Sequence, residues 1–272
     1  MDIDIDITLN EHQTKSILQR ISNILLINGG FFDNPGLYTG EMGLAVFFFH
    51  YAEFTQNELY LDFSFDLIEK VQNKIHNETP IDYRHGLSGI GSAIEYLVQW
   101  GFMEVDTDDM LEEFDKRIFS ADNMPDMSVE ELSGIAYYSV WRMAGNSAQT
   151  HTILKKVLPR LVHFMDERCR NLDVEYRTVT FLKDIVETEN LGMLSDMSIV
   201  FRPCRNRYPY GLEINTYNHY LEQFSKNDCF NTKTLDLSLH NGLAGFGMAL
   251  MTEINVDNAW ISLFPKDFFC LP

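Results

Sequence analysis

The sequence predicts an all-α protein made of tandem helical hairpins, arranged as an α/α ring or solenoid. Three observations carry this. Apolar residues recur three and four apart through most of the chain, a glycine-rich helix start is repeated along it, and the helices between those starts are charged on one side only. With 272 residues, 45% of them hydrophobic and 13% aromatic, the chain can bury a sizeable core. One domain over residues 1–272 is the expectation.

The elements follow in order. DIDIDIT (Asp2–Thr8) alternates but is a weak strand signal. Ile17, Ile21, Ile24 and Leu25 then mark an amphipathic helix. TGEMGLAVFFFHYA, HGLSGIGSAIEYLV, ELSGIAYYSVWRMA and NGLAGFGMALMTEI align on Gly43, Gly89, Gly134 and Gly245, with a second small residue three positions earlier except in the third copy, where Glu131 stands. The first two gaps are about 45 residues, room for two helices and two connections. LGMLSDMSIVF, with Gly192 and Ser195, is a degraded candidate for a further copy.

Between these lie ELYLDFSFDLIEKVQNKI, DTDDMLEEFDKRIF, QTHTILKKVLPRLVHFMDERC and GLEINTYNHYLEQF, each with one charged and one apolar side. They read as outer helices with a solvated face, and the glycine-started helices, poor in charge, as inner ones. Glycine costs up to about 1 kcal/mol in a helix interior. Its repetition therefore points to close approach of a neighbouring helix or loop, or to bare first-turn N–H groups that bind a loop, a water or an anion.

Twenty-one Lys and Arg face 40 Asp and Glu, a net charge of −19. Such a surface repels phosphate backbones and anionic lipid, so nucleic acid and membrane are excluded as expected partners. The acidic start MDIDIDITLNEH lacks the positive and apolar segments of a signal peptide, and no apolar run approaches the roughly 18 residues of a membrane span, so a cytoplasmic location is expected. Cys169, Cys204, Cys229 and Cys270 form no C-x-x-C pair and read as free thiols.

HGLSGIGSAIEYL and HNGLAGFGMAL, at this period, resemble the lanthionine synthetase C-like family, over roughly Gly36 to Glu253. The resemblance implies an α/α toroid, here short and incomplete in repeats, with inner helices around a cavity. In the family's enzymes a zinc ion activates a peptide cysteine thiol, which adds to a dehydrated residue and closes a thioether ring. Zinc would stabilise the thiolate nucleophile near neutral pH. Those enzymes draw two ligands from Cys-His-Gly, and this chain has no Cys-His pair: Arg84 precedes His85-Gly86. The ligand set is not carried over, and no cofactor is expected. The function implied is binding, or helping to modify, a ribosomally made peptide, with that peptide or a modifying enzyme as partner. An open ring would also expose apolar flanks and favour a homo-oligomer.

If the inner helix starts converge, Glu41, Asp82, His85, His240 and Asn241 lie around the cavity mouth. Each also has a plainer reading as a helix-capping or hydrogen-bonded residue. FRPCRNRYPYG gathers Arg202, Arg205, Arg207 and Tyr208 between two prolines, a loop that would grip a carboxylate or an acidic peptide, or else pair with the chain's own acids. Two alternatives stay open. One is a thioether cyclase with unconventional zinc ligands, such as Cys204, Cys229, His219 and His240, whose spacing fits no usual pattern. The other is a carbohydrate enzyme using two of Glu41, Glu95, Glu131 and Asp196.

Overall fold

The computed structural model describes residues 9–145, 147–169, 176–188, 212–225, 235–255 and 259–264. Among them the regular structure is helical: α1 (Glu11–Asn28), α2 (Glu41–Thr55), α3 (Glu58–Lys74), α4 (Leu87–Gln99), α5 (Thr107–Met110), α6 (Glu112–Ile118), α7 (Val129–Ala144), α8 (Ala148–Cys169), α9 (Tyr176–Thr188), α10 (Ile214–Ser225) and α11 (Leu243–Asn255), with short 3₁₀ turns. The chain is all-α, as its periodicity requires. DIDIDIT, the copy around Gly192, the loop bearing Arg202, Arg205, Arg207 and Tyr208, and Cys204, Cys229 and Cys270 lie outside the described residues. Two compact units divide the chain: Met1–Lys74 with Arg205–Ile261, and Ile75–Cys204 with Ser262–Pro272.

In the first unit the contrast between inner and outer helices is direct. Every residue of α2 from Glu41 to Ala52 is buried, and so is every residue of α11 from Leu243 to Thr252. Helix α3, which packs along α2, buries only Ser64, Leu67, Ile68 and Val71. Its remaining surface carries the charge that the pattern placed outside. Helix α11 packs against α1, α2 and α10. The Phe246 ring contacts the rings of Tyr217, Tyr220 and Phe224 at centroid distances of 5.3, 5.4 and 5.9 Å. Full burial of such a side chain is worth roughly 1.5–3 kcal/mol. Trp260, 1% exposed, closes over α11 and donates its ring N–H to Thr252 Oγ1 at 3.1 Å.

The second unit repeats the contrast. Helix α4 is buried from Leu87 to Leu97 and α7 from Leu132 to Met143. They pack together where Gly91 lies beneath the Tyr138 ring: a Cβ there would come within 2.5 Å of it. Helix α8 packs on α7 through a stripe of Leu154, Val157, Leu158, Leu161 and Met165. DTDDMLEEFDKRIF forms two short helices rather than one, broken at the buried Leu111.

One buried cation ties these helices together. Arg142, 1% exposed, donates through Nε to both Asp115 oxygens at 3.2 Å and through Nη2 to Asp115 Oδ2 at 2.7 Å. It also donates to Asp108 Oδ1 at 2.9 Å, to Thr150 Oγ1 at 2.8 Å and to Glu95 Oε1. Asp115 takes the Tyr138 hydroxyl at 2.6 Å. Asp108 takes the hydroxyls of Thr150 at 3.0 Å and of Ser147. Burial opposes the Arg142 charge, but Asp115, Tyr138 and Glu95 outweigh it and hold the guanidinium charged. Burying charge without such partners would cost several kcal/mol, which is why so many donors and acceptors converge here.

Candidate functional site

Helices α2, α4 and α11 begin in the same way, and their glycines are the reason they can. The loop before each folds back over the helix start, so that carbonyls seven residues upstream accept first-turn N–H groups. Glu41 donates to Asn34 at 3.1 Å, Met42 to Pro35 at 3.2 Å, Leu87 to Pro80 at 2.9 Å, Leu243 to Asp236 at 2.8 Å and Gly245 to Ser238 at 3.3 Å. Amides that would otherwise be left bare are thus taken by the protein's own loops rather than presented to an anion. A Cβ at Gly43, Gly86 or Gly245 would fall on the carbonyl of the residue six places earlier: Leu37, Pro80 or Leu239. The two sequence readings of these glycines meet here: a loop approaches closely, and its carbonyls take the first-turn N–H groups.

Short polar side chains fix the loops. Asn34 Oδ1 accepts from Gly36 N–H at 3.0 Å, and Asp236 Oδ1 from Ser238 N–H at 2.9 Å. Asp82 Oδ1 accepts from both Arg84 and His85 N–H at 2.8 and 2.9 Å. These are side-chain turns of the kind Asn and Asp favour. Helix α7 departs from the pattern by beginning earlier, at Ser128, where a capping box uses Glu131: its carboxylate accepts from Ser128 N–H at 2.7 Å and from the Ser128 hydroxyl at 2.8 Å. This is why glutamate stands where the other copies have glycine.

In the first unit, His240 and Asn241 come together with two residues that the sequence did not single out. The His240 ring stacks on Tyr38 with centroids 4.8 Å apart and planes 12° apart, and the His240 backbone N–H donates to the Tyr38 carbonyl at 3.1 Å. Asn241, left-handed at φ 58°, donates from Nδ2 to Glu213 Oε1 at 3.2 Å and accepts Glu213 N–H on Oδ1 at 3.2 Å. The starts of α10 and α11 are therefore clamped together, with the loop entering α2 beside them. Glu41 does not share this cluster: it is 1% exposed and pairs with Lys74 Nζ of α3 at 3.1 Å. At the first position of α2 its charge also opposes the helix dipole favourably.

In the second unit, Asp82 and His85 form one turn, with His85 Nδ1 at 3.5 Å from Asp82 Oδ1 and the His85 side chain 50% exposed. Arg117 steadies the approach to this turn by donating to the carbonyls of His76 and Asn77 at 3.0 Å and of Thr79 at 2.6 Å. The sequence holds a signal for the buried cluster. Glu95 and Arg142 are lone charges inside otherwise apolar helices, and such charges are rarely buried unless they meet.

Among the described residues no three His, Cys, Asp or Glu side chains are grouped to hold a metal ion. The zinc that the family's enzymes use finds no matching donors at the helix starts: Arg84-His85-Gly86 and His240-Asn241-Gly242 stand there, with His240 stacked and Asn241 clamped. The carboxylates weighed for sugar chemistry are also engaged: Glu41 by Lys74, Glu95 by Arg142 and Glu131 by Ser128, while Asp196 lies outside the described residues. No described helix is long and apolar enough to cross a membrane.

The family model described as lanthionine synthetase C-like protein matches residues 32–177, from the loop before α2 to the start of α9. No curated protein and no solved structure matches the chain. The HNGLAGFG start lies beyond the matched span, and its kinship with the others rests on its sequence and on the shared loop-over-helix geometry. With more than half of the chain matched and its glycine helix starts built to one plan, the chain belongs to the lanthionine synthetase C-like family.

Proposed function

We propose that this protein is a peptide-binding member of its family that does not perform zinc-dependent thioether formation. The observation that carries the reading is the residue content of the helix starts: where a Cys-His-Gly would supply ligands, this chain has Arg84-His85-Gly86 and His240-Asn241-Gly242. Without a thiolate-stabilising ion, a peptide thiol stays mostly protonated near pH 7 and adds slowly. A net charge of −19 favours a cationic peptide by long-range attraction. The compartment in this reading is the cytoplasm, where ribosomally made precursors are modified, and the partners are such a peptide and the enzyme that modifies it.

The test uses the full chain with a fluorescein-labelled precursor peptide that contains both cysteine and dehydroalanine. Saturable binding that weakens with salt, with the peptide thiol still open to alkylation after incubation with and without added zinc, is the expected result. Zinc-dependent loss of the free thiol would make the protein a cyclase. Absence of binding at any salt concentration would remove the peptide-binding reading.

A further inference from the structure

The Arg142 cluster contains one cation and three carboxylates, Glu95, Asp108 and Asp115, and they are not equally served. Asp115 receives Nε and Nη2 of the guanidinium together with the Tyr138 hydroxyl. Asp108, the most exposed of the three at 25%, receives Nη2 and the hydroxyls of Ser147 and Thr150. Glu95 is 1% exposed and receives one guanidinium N–H on Oε1, with the Thr107 hydroxyl beside it. Among the described residues its Oε2 has only the Gln99 amide, at 3.5 Å. The Gly145 backbone closes the remaining side, since a Cβ there would be 3.0 Å from Oε2.

We propose that this cluster keeps one proton on Glu95 at neutral pH, and that losing it as the pH rises loosens α4 from α7. Three ionised carboxylates around one guanidinium would leave two uncompensated negative charges where, of the three acids, only Asp108 has appreciable exposure, and the least hydrogen-bonded, most buried acid is where the proton costs least. Burial pushes the Glu95 carboxyl up against the opposing pull of Arg142, in keeping with this placement. Among the described residues the titratable and charged groups that face Glu95 are Arg142 and the buried Tyr138 from α7, Asp108 from α5 and Asp115 from α6. The other charges on those helices are turned elsewhere: Lys116 pairs with Glu112 and Glu113, Arg117 holds the His76–Thr79 carbonyls, Glu131 caps α7, and Asp109 and Glu130 are exposed.

The consequence reaches the candidate loop, because α4 is the helix that Asp82 and His85 introduce. An acid whose folded-state pKa is raised binds its proton more tightly in the folded protein. Stability therefore falls as pH rises from the unfolded value to the folded one, by up to tenfold in the opening equilibrium per pH unit.

The experiment is ¹³C NMR of the Glu95 side-chain carboxyl in the full chain, with hydrogen exchange of the α4 amides across the same pH series. The expected result is a Glu95 signal still protonated at pH 7 that converts at higher pH, with α4 opening, corrected for base catalysis, rising from about pH 5 up to that conversion and levelling off beyond it. Glu95→Gln should hold α4 at a constant opening equilibrium and match the wild type at low pH. An ionised Glu95 signal from pH 5 upward would overturn the proposal, and so would a Glu95→Gln protein less stable than the wild type at every pH.

Discussion

Replacing Arg142 with methionine removes the only cation described at a site that keeps its three acids. Met preserves most of the apolar stem, so the change isolates the guanidinium. Asp115, 7% exposed, would be left a buried carboxylate without its counter-ion, and Glu95, 1% exposed, would lose the guanidinium N–H on its Oε1. Asp108, 25% exposed, can recover hydration and contributes less. Breaking one buried pair typically costs roughly 3–5 kcal/mol, and losses that share one partner do not add. The expected loss is therefore about 4 kcal/mol at pH 7, a large part of the roughly 5–15 kcal/mol that holds a domain folded.

Urea unfolding followed by circular dichroism measures this loss, and its pH dependence provides the sharper check. With no cation nearby, the stranded acids have raised folded-state pKa values, so protonation on moving from pH 8 to pH 5 should narrow the gap between variant and wild type. A loss under 1 kcal/mol at pH 7, or a gap that is the same at pH 5 and pH 8, would refute the view that Arg142 organises the second unit.

Gly245→Ala should destabilise by ~1–3 kcal/mol in thermal unfolding, despite alanine's better helix propensity, because the new Cβ falls on the Leu239 carbonyl and lies 2.9 Å from Leu212 Cδ1. Asn241→Gly keeps the left-handed backbone and loses the side-chain bonds to Glu213 and His240, whereas Asn241→Ala loses those bonds and strains the backbone as well; denaturant midpoints should rank wild type above Gly above Ala, the last two about 1 kcal/mol apart. Burial works to raise the Asp108 carboxyl but is outweighed by bonds from Ser147, Arg142 and Thr150, so its pKa is lowered. Its stabilisation is present above the unfolded value of about 3.9 and is lost as pH falls through the folded one. Asp108→Asn should thus cost ~1–2 kcal/mol at pH 7 and little at pH 2, as read by unfolding across pH.

The inner and outer helices were legible because burial and periodicity are two views of one constraint: a helix enclosed by neighbours, like Glu41–Ala52, has no place to solvate charge, and a half-exposed one like α3 does. The repeated glycines were legible as sites of close approach for the same steric reason. What approaches them was not, because the Pro80 and Leu239 carbonyls belong to loops whose return path depends on backbone torsions rather than on residue type. Glu41 is placed by its ion pair with Lys74, and His240 and Asn241 by Tyr38 and Glu213, partners remote in sequence that no local pattern joins.

Sequence alone determined that this chain is helical, that its glycine starts follow a single plan, and that Cys-His-Gly is missing, since each is a property of neighbouring residues. Tertiary structure decided which charges meet. Glu95, Asp108, Asp115 and Arg142 lie on four different helices, and only packing brings them within hydrogen-bonding distance. There the low dielectric makes their mutual compensation obligatory.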